Sequence, residues 1–142
     1  MRILLFIFIF QASLKAQELV LPLNIHPSLA GNFGELRPNH FHMGLDFKTL
    51  GKENLPVIAV TDGVISRILI SSNGYGKALY IDHPALGITS VYAHLNGFIP
   101  EIESYTRQWQ YNLKSNTLDT IILNNNIEIK KGQIIAYSGN TG

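Results

Sequence analysis

The 142-residue sequence contains no cysteine. This absence excludes a disulfide framework, a thiol nucleophile, a cysteine-type zinc site and a lipid-anchored cysteine. A metal ion would therefore have to be held by histidine and carboxylate side chains. Export remains compatible with the sequence, because a domain of this size can fold on its hydrophobic core without disulfides.

A charge excess of either sign is also missing. The sequence contains eleven Lys and Arg residues and ten Asp and Glu residues, which gives a formal net charge of +1. Such a chain has no large electrostatic field to attract nucleic acid or an anionic membrane, so we expect no nucleic-acid partner. The hydrophobic fraction of 46% and charged fraction of 15% are typical of a single globular domain.

The sequence begins with an apolar run that is too short to span a bilayer. Arg2 precedes this run, which ends at Phe10, whereas a spanning helix needs about 20 apolar residues. The pattern predicts a secretory signal peptide over residues 1–16, with cleavage after Ala16 or a few residues away because Leu14 is large for the −3 position. A retained membrane helix is the alternative. We expect a secreted, periplasmic or cell-envelope location in a bacterium and no stable membrane insertion after cleavage.

Beyond the signal, residues 17–38 resemble an extended lead-in, and residues 39–142 have the sequence pattern of a β domain. Short β-branched and aromatic runs predict strands at 45–49, 56–60, 64–70, 77–81, 88–92, 118–123 and 133–137. The intervening segments carry turn chemistry, including Asp62-Gly63 as a tight hairpin turn and Asn73 to Gly76 as a glycine-rich loop. Parallel strands would need long crossovers, so the sheet is predicted to be antiparallel and the fold class all-β.

One segment departs from the strand pattern. Pro100 suits the first helical position, and Glu101 and Glu103 suit the positive helix start. Ile102, Tyr105, Trp109 and Leu113 fall on one stripe of a helix. These features predict a single short helix at 100–112.

The residues best suited to metal chemistry are His40, His42 and Asp46. In an extended chain side chains alternate, so these three would share one face while Leu45 and Phe47 point into the core. Imidazole and carboxylate ligands suit zinc, and a catalytic zinc commonly keeps three protein ligands and one open position. The alternative is a pair of surface hydrogen-bonding groups at the start of a strand.

A second candidate is His94, near the end of the fifth predicted strand. By alternation it would share a face with Tyr92, where it could orient an attacking water or donate to a developing oxyanion. The alternative is a half-buried histidine with a purely structural role. His83 and His26 are interpreted as structural, and Asp62 as a turn residue.

Taken together and in order, these pieces resemble peptidase family M23, the LytM/lysostaphin-like zinc endopeptidases. The resemblance covers residues 31 to 142. Its pieces are Asn32-Phe33-Gly34 with Arg37, His42-Met43-Gly44-Leu45-Asp46, Pro56-Val57-Ile58-Ala59 with Asp62-Gly63-Val64, Gly74-Tyr75-Gly76, Tyr92-Ala93-His94-Leu95, and Lys131-Gly132-Gln133 followed by Ser138-Gly139-Asn140-Thr141-Gly142.

The resemblance implies a LytM-type antiparallel β fold and zinc-dependent hydrolysis of peptide bonds in cell-wall peptidoglycan. It implies that His42 and Asp46 are zinc ligands, that His94 is the activating or oxyanion-stabilising histidine, and that Arg37 lies where a basic residue could hold substrate. The family's third ligand and general base come from a His-x-His pair beyond a turn like the one at 138–142. We therefore expect the sequence to be a truncated, inactive fragment of a working endopeptidase, which sequencing past codon 142 would test.

Two other functions fit the same residues. Domains of this fold that have lost their ligands bind cell wall or activate other hydrolases by contact, and an absent downstream His-x-His would favour that function. An accessory module of a larger protein, of the biotinyl-carrier-like type, is disfavoured because no Met-Lys-Met occurs.

Overall fold

The computed structural model describes residues 19–122 and 127–142. The predicted signal peptide at 1–16 and the last residue of the strand predicted at 118–123 lie outside these residues. Within the described part, the chain forms one α helix and nine strands. The elements are β1 (Leu29–Gly31), β2 (Asp46–Phe47), β3 (Pro56–Ile58), β4 (Gly63–Ile70), β5 (Lys77–His83), β6 (Ile88–Phe98), α1 (Pro100–Leu113), β7 (Leu118–Ile121), β8 (Glu128–Ile129) and β9 (Ile134–Ser138).

The strands form two antiparallel sheets. A large sheet has the order β3-β9-β6-β5-β4-β7, with β8 also pairing with β4, and a small sheet pairs β1 with β2. Every recorded pairing is antiparallel. The prediction of an all-β antiparallel fold with one helix is confirmed.

The core lies against the large sheet and is built mainly from β-branched residues. Leu79 and Ile81 on β5 are fully buried on one face, because alternate strand residues point the same way, and Ile65 and Ile68 on β4 are fully buried on either side of a register shift between Ile65 and Arg67. Ile102 on α1 and Ile135 on β9 belong to the same cluster. The helix therefore lies against the sheet that carries His94.

Most predicted strands are present with shifted ends. β6 runs to Phe98, six residues beyond the predicted end at 92, and β2 has only two of the five predicted residues. β1 and β8 were not predicted, because strands of three and two residues are too short to show a period.

The hairpin predicted at Asp62-Gly63 is wrong. β3 pairs with β9, whereas β4 pairs with β5, β7 and β8, so the strands on either side of this dipeptide are not partners. Gly63 is required for a different reason: a Cβ there would contact the Asp82 carbonyl oxygen and lie 2.6 Å from His83 Nδ1. Asp62 Oδ1 accepts a hydrogen bond from the Lys131 amide at 2.7 Å.

Helix α1 begins at Pro100 as predicted and ends beside Lys114, whose φ of 51° is left-handed. Its predicted apolar stripe is buried only in the first half: Ile102 is fully buried, whereas Trp109 and Leu113 are 37% and 55% exposed. Of the residues that the structure describes, none forms a helix long and apolar enough to cross a bilayer.

Candidate metal centre

The candidate ligands lie on and just after a small hairpin. Backbone amides of Gly34 and His42 donate to the carbonyls of His42 and Glu35 at 2.7 and 2.8 Å, and Arg37 N donates to His40 O at 2.9 Å. Pro38 and Asn39 occupy the turn, where proline and asparagine are favoured. This hairpin brings Glu35 and Arg37 alongside the chain segment that carries His42.

His42 and Asp46 form a pair with the spacing of two metal ligands. His42 Nε2 lies 3.1 Å from Asp46 Oδ1. Two ligands that each lie ~2.0–2.2 Å from a tetrahedral ion are separated by about 3.4 Å. The observed spacing is close to that edge length, so the pair fits an ion as two of its ligands.

The other ring nitrogen of His42 fixes the orientation of the imidazole. Nδ1 lies 3.0 Å from the Asn32 carbonyl oxygen, which can only accept, so Nδ1 carries a proton. In the neutral ring Nε2 then presents a lone pair to the carboxylate of Asp46. Two acceptors that face each other at this distance are suited to share a cation.

Asp46 is held from its other side by Arg37. Arg37 Nη2 donates to Asp46 Oδ2 at 3.1 Å and to Glu35 Oε2 at 3.4 Å. Gly31 makes this approach possible, since a Cβ there would lie 2.5 Å from Arg37 Nη2 and 2.6 Å from Asp46 Oδ2. Arg37 Nε is buried and has no hydrogen-bond partner among the described residues. The role of Arg37 in holding substrate stays a prediction, and its visible role here is to orient Asp46.

Among the described residues, His40 does not join His42 and Asp46 in a group of three potential ligands. His40 Nδ1 pairs with Asn39 Oδ1 at 2.9 Å in the exposed turn. The prediction that Leu45 points into the core is wrong, because its side chain is 52% exposed. The chain bends at Gly44 and β2 begins only at Asp46, so strict alternation does not extend back to Leu45. Phe47 does pack against the core.

His94 lies at a bulge in β6. The register runs from Leu79↔Tyr92 to Lys77↔Leu95, so β6 contains one residue more than β5 in this interval. His94 takes up the extra residue with a φ of 56°. The prediction that Tyr92 and His94 share a face is therefore wrong: Tyr92 is buried and its hydroxyl accepts from Val60 N at 2.9 Å, whereas His94 is exposed.

The His94 ring is held by the segment after β9. His94 Nδ1 lies 2.7 Å from the Thr141 carbonyl oxygen, and the His94 amide donates to the Tyr75 carbonyl at 2.9 Å. Both contacts join residues that are distant in sequence. Ring and backbone of His94 are thus fixed independently.

Comparison with known proteins identifies the family of this site. Residues 40–108 match the family model for peptidase family M23. This segment belongs to peptidase family M23. The matched M23 segment includes His42, Asp46 and His94, and the predicted family is confirmed. No curated protein and no solved structure matches the chain.

Within residues 19–122 and 127–142, no three His, Asp or Glu side chains come close enough to hold a metal ion. Among these residues His42 and Asp46 come together as a pair of candidate ligands, and His94 does not join them in a group of three. The residues that sequence reasoning missed are Gly31, Glu35 and Thr141. Glu35 could have been found, because in a hairpin it alternates onto the face of Arg37, but the Thr141 contact spans 47 residues and has no local signal.

Proposed function

We propose that the chain carries a zinc metalloendopeptidase domain that hydrolyses peptide bonds in bacterial cell-wall peptidoglycan. The observation that carries the proposal is the His42–Asp46 pair, with 3.1 Å between Nε2 and Oδ1 and with Nδ1 of the histidine committed elsewhere. Membership of the M23 segment in a peptidase family supports the reaction class. Peptidoglycan as substrate and a cell-envelope or extracellular location are parts of the proposal.

The donor set favours zinc over harder cations. A neutral imidazole and one carboxylate oxygen are common zinc ligands, whereas magnesium and calcium prefer sites made of oxygen alone. In such a site zinc supplies Lewis-acid polarisation of the scissile carbonyl and a lowered pKa for water. The chain's own residues contribute orientation: the Asn32 carbonyl fixes the His42 ring, and Arg37 fixes the carboxylate of Asp46.

His94 is the proposed proton-handling residue. It is exposed and fixed at both ring and backbone, so it can meet a substrate without moving. A histidine in this position can accept a proton from water or donate one to a developing oxyanion.

The gene that encodes this chain provides the test of this function. Its purified product should release soluble peptides from insoluble peptidoglycan, and chelator should abolish the release. His42→Ala and Asp46→Ala should each reduce the rate more than about 100-fold, because the affinity of a metal site depends on its full ligand set. His40→Ala is the matched control and should retain the rate. Hydrolysis that survives chelator and His42→Ala would contradict the proposal.

A second candidate function is a catalytically incomplete module that binds cell wall or activates other hydrolases. The observation that favours it is that only two ligands come together among the described residues. It predicts binding to insoluble peptidoglycan without peptide release, and binding that His42→Ala leaves unchanged. For the 142-residue chain by itself, we expect weak zinc binding and no hydrolysis, because a third ligand is needed for geometry and affinity.

A further inference from the structure

We propose that Thr141 is a positioning residue that fixes the tautomer of His94, so that Nδ1 carries the proton and Nε2 is the working nitrogen. The catalytic importance of this nitrogen rests on the proposed function, whereas the tautomer itself does not. The inference comes from three features of one small region: a carbonyl on the ring, a hydroxyl that fixes that carbonyl, and a glycine that leaves room for both.

The carbonyl decides which nitrogen is protonated. His94 Nδ1 lies 2.7 Å from the Thr141 carbonyl oxygen, and a carbonyl oxygen can only accept. Nδ1 must therefore be the donor, and in the neutral ring Nε2 keeps its lone pair. An unconstrained neutral imidazole in water carries its proton mainly on Nε2, so the contact reverses the ordinary preference.

The hydroxyl of Thr141 fixes the carbonyl in place. Oγ1 donates to the Leu95 carbonyl at 2.9 Å and accepts from the Lys77 amide at 2.9 Å. Leu95 and Lys77 are partners in the sheet on one side of the bulge that contains His94. The Thr141 side chain thus forms hydrogen bonds to both strands at the bulge. These bonds hold the Thr141 carbonyl against the His94 ring.

Gly76 makes this arrangement sterically possible. A Cβ at Gly76 would contact the carbonyl carbon, the carbonyl oxygen and Oγ1 of Thr141, and its φ of 60° is left-handed. The preceding residue, Tyr75, accepts the hydrogen bond from the His94 amide at 2.9 Å. The β4–β5 loop therefore holds the backbone of His94 and also leaves space for the group that holds its ring.

The backbone conformation of His94 is imposed by more than one contact. A non-glycine residue at a φ of 56° costs about 1 kcal/mol or more, and such a conformation persists only where the surroundings impose it. The Tyr75 and Thr141 contacts impose it from two sides. Two roles for His94 follow from its sequence, orienting water or donating to an oxyanion, and the tautomer favours the first because neutral Nε2 can only accept.

Nitrogen-15 NMR of histidine side chains tests the proposal directly. The 142-residue chain, labelled at histidine and held at a pH where the rings are neutral, should show His94 with Nδ1 protonated. The His94 signal is assigned by its loss in His94→Gln. His83 provides an internal reference, because its Nδ1 faces the Asp62 carbonyl at 2.7 Å in the core.

Two variants separate the hydroxyl from the shape of the side chain. Thr141→Val removes the hydroxyl at nearly constant volume, and it should move the His94 tautomer ratio toward Nε2–H by roughly 3- to 10-fold, the size expected for one hydrogen bond. Thr141→Ser restores the hydroxyl and should restore the ratio. Unchanged His83 signals in each variant establish that the fold is intact.

The outcomes are decisive in both directions. Nε2–H as the main tautomer of His94 in the unaltered chain overturns the proposal, whatever the variants do, so a variant that fails to fold does not protect it. An unchanged ratio in a folded Thr141→Val also overturns the role of the hydroxyl. If the complete gene product fails to cleave peptidoglycan while His94 carries its proton on Nδ1, the proposed function fails and this inference stands.

Discussion

Arg37 Nη2 lies 3.1 Å from Oδ2 of Asp46, while Oδ1 of the same carboxylate lies 3.1 Å from Nε2 of His42. The two oxygens of one side chain are thus divided between an arginine and a histidine. The arginine favours one orientation of the carboxylate, in which Oδ1 faces the histidine. Residues that orient a ligand in this way typically contribute 10- to 100-fold to metal affinity.

Gly31→Ala should weaken zinc binding without unfolding the protein. The added Cβ would lie 2.5 Å from Arg37 Nη2 and 2.6 Å from Asp46 Oδ2, so both side chains must shift. We expect about a 10- to 100-fold loss of zinc affinity in the product of the complete reading frame, measured by competition with a chromophoric chelator. Gly97→Ala is the matched control, because a Cβ there meets nothing within 4 Å. Equal losses in the two variants would contradict the role of Gly31.

His83→Ala should destabilise the fold without changing the His42–Asp46 pair. The ring is 1% exposed and lies 2.7 Å from both Asp62 O and Ser90 Oγ. Removing it leaves two polar groups without their partner and opens a cavity, which should cost about 2–4 kcal/mol in the free energy of unfolding. Urea denaturation measures this change, and the exposed His26→Ala should stay within about 0.5 kcal/mol. A loss below 1 kcal/mol would show that the buried hydrogen bonds contribute little.

Tyr92→Phe isolates a single hydrogen bond below the bulge. The Tyr92 hydroxyl accepts from the Val60 amide at 2.9 Å, and phenylalanine leaves that amide without its acceptor. We expect a loss of about 1 kcal/mol in the free energy of unfolding. Tyr111→Phe changes the same atom on a side chain that is 83% exposed, so it should be neutral in the same urea titration. Equal effects of the two changes would refute the assignment.

The ion pair of Asp119 with Arg67 makes a pH-dependent contribution to the free energy of unfolding. This contribution can be measured separately from the His42–Asp46 pair. The Arg67 guanidinium donates two hydrogen bonds of 2.7 Å to this carboxylate, and these hold the pKa of Asp119 below its ordinary value. A lowered pKa means that the stabilisation is present above the unfolded pKa of about 3.9 and is lost as the pH falls through the folded value. The two side chains are 36% and 55% exposed, so screening limits the contribution to about 1 kcal/mol or less.

The corresponding variant is Asp119→Asn. Its deficit in the free energy of unfolding should be measurable at pH 7 and should shrink as the pH falls through the lowered pKa of Asp119, because the carboxyl then becomes protonated in the parent protein as well. Glu53→Gln, on an exposed loop carboxylate, serves as the comparison. A deficit that stays constant as the pH is lowered would mean that the variant acts by some other route than the ion pair.

The elements that could be predicted are those whose sequence signal is local. The runs at 64–70 and 77–81 are apolar, β-branched and bounded by Asn73 to Gly76, and both became long strands. Pro100 with Glu101 and Glu103 marked the start of α1 correctly. Each of these patterns reports on a few neighbouring residues, and local propensity is sufficient there.

Predictions failed where the outcome depended on distant residues. Asp62-Gly63 has the composition of a hairpin turn, yet Gly63 serves the close approach of the Asp82 backbone and the His83 ring. The positive φ of His94 is imposed by contacts from Tyr75 and Thr141, and its own sequence context gives no sign of it. The spacing of His42 and Asp46 was readable because the two lie four residues apart, whereas the contact between Arg37 and Asp46 depends on how the hairpin folds.

The position of β9 between β3 and β6 has a consequence for how this protein is made. Both neighbours are synthesised long before β9, and each must wait with an unpaired edge until residues 134–138 leave the ribosome. Pairing across such sequence distances is slow, because loop-closure entropy must be overcome first. The nascent chain should therefore keep this part of the sheet open until residues 134–138 are available, which gives a chaperone or an export machinery time to engage it before the sheet closes.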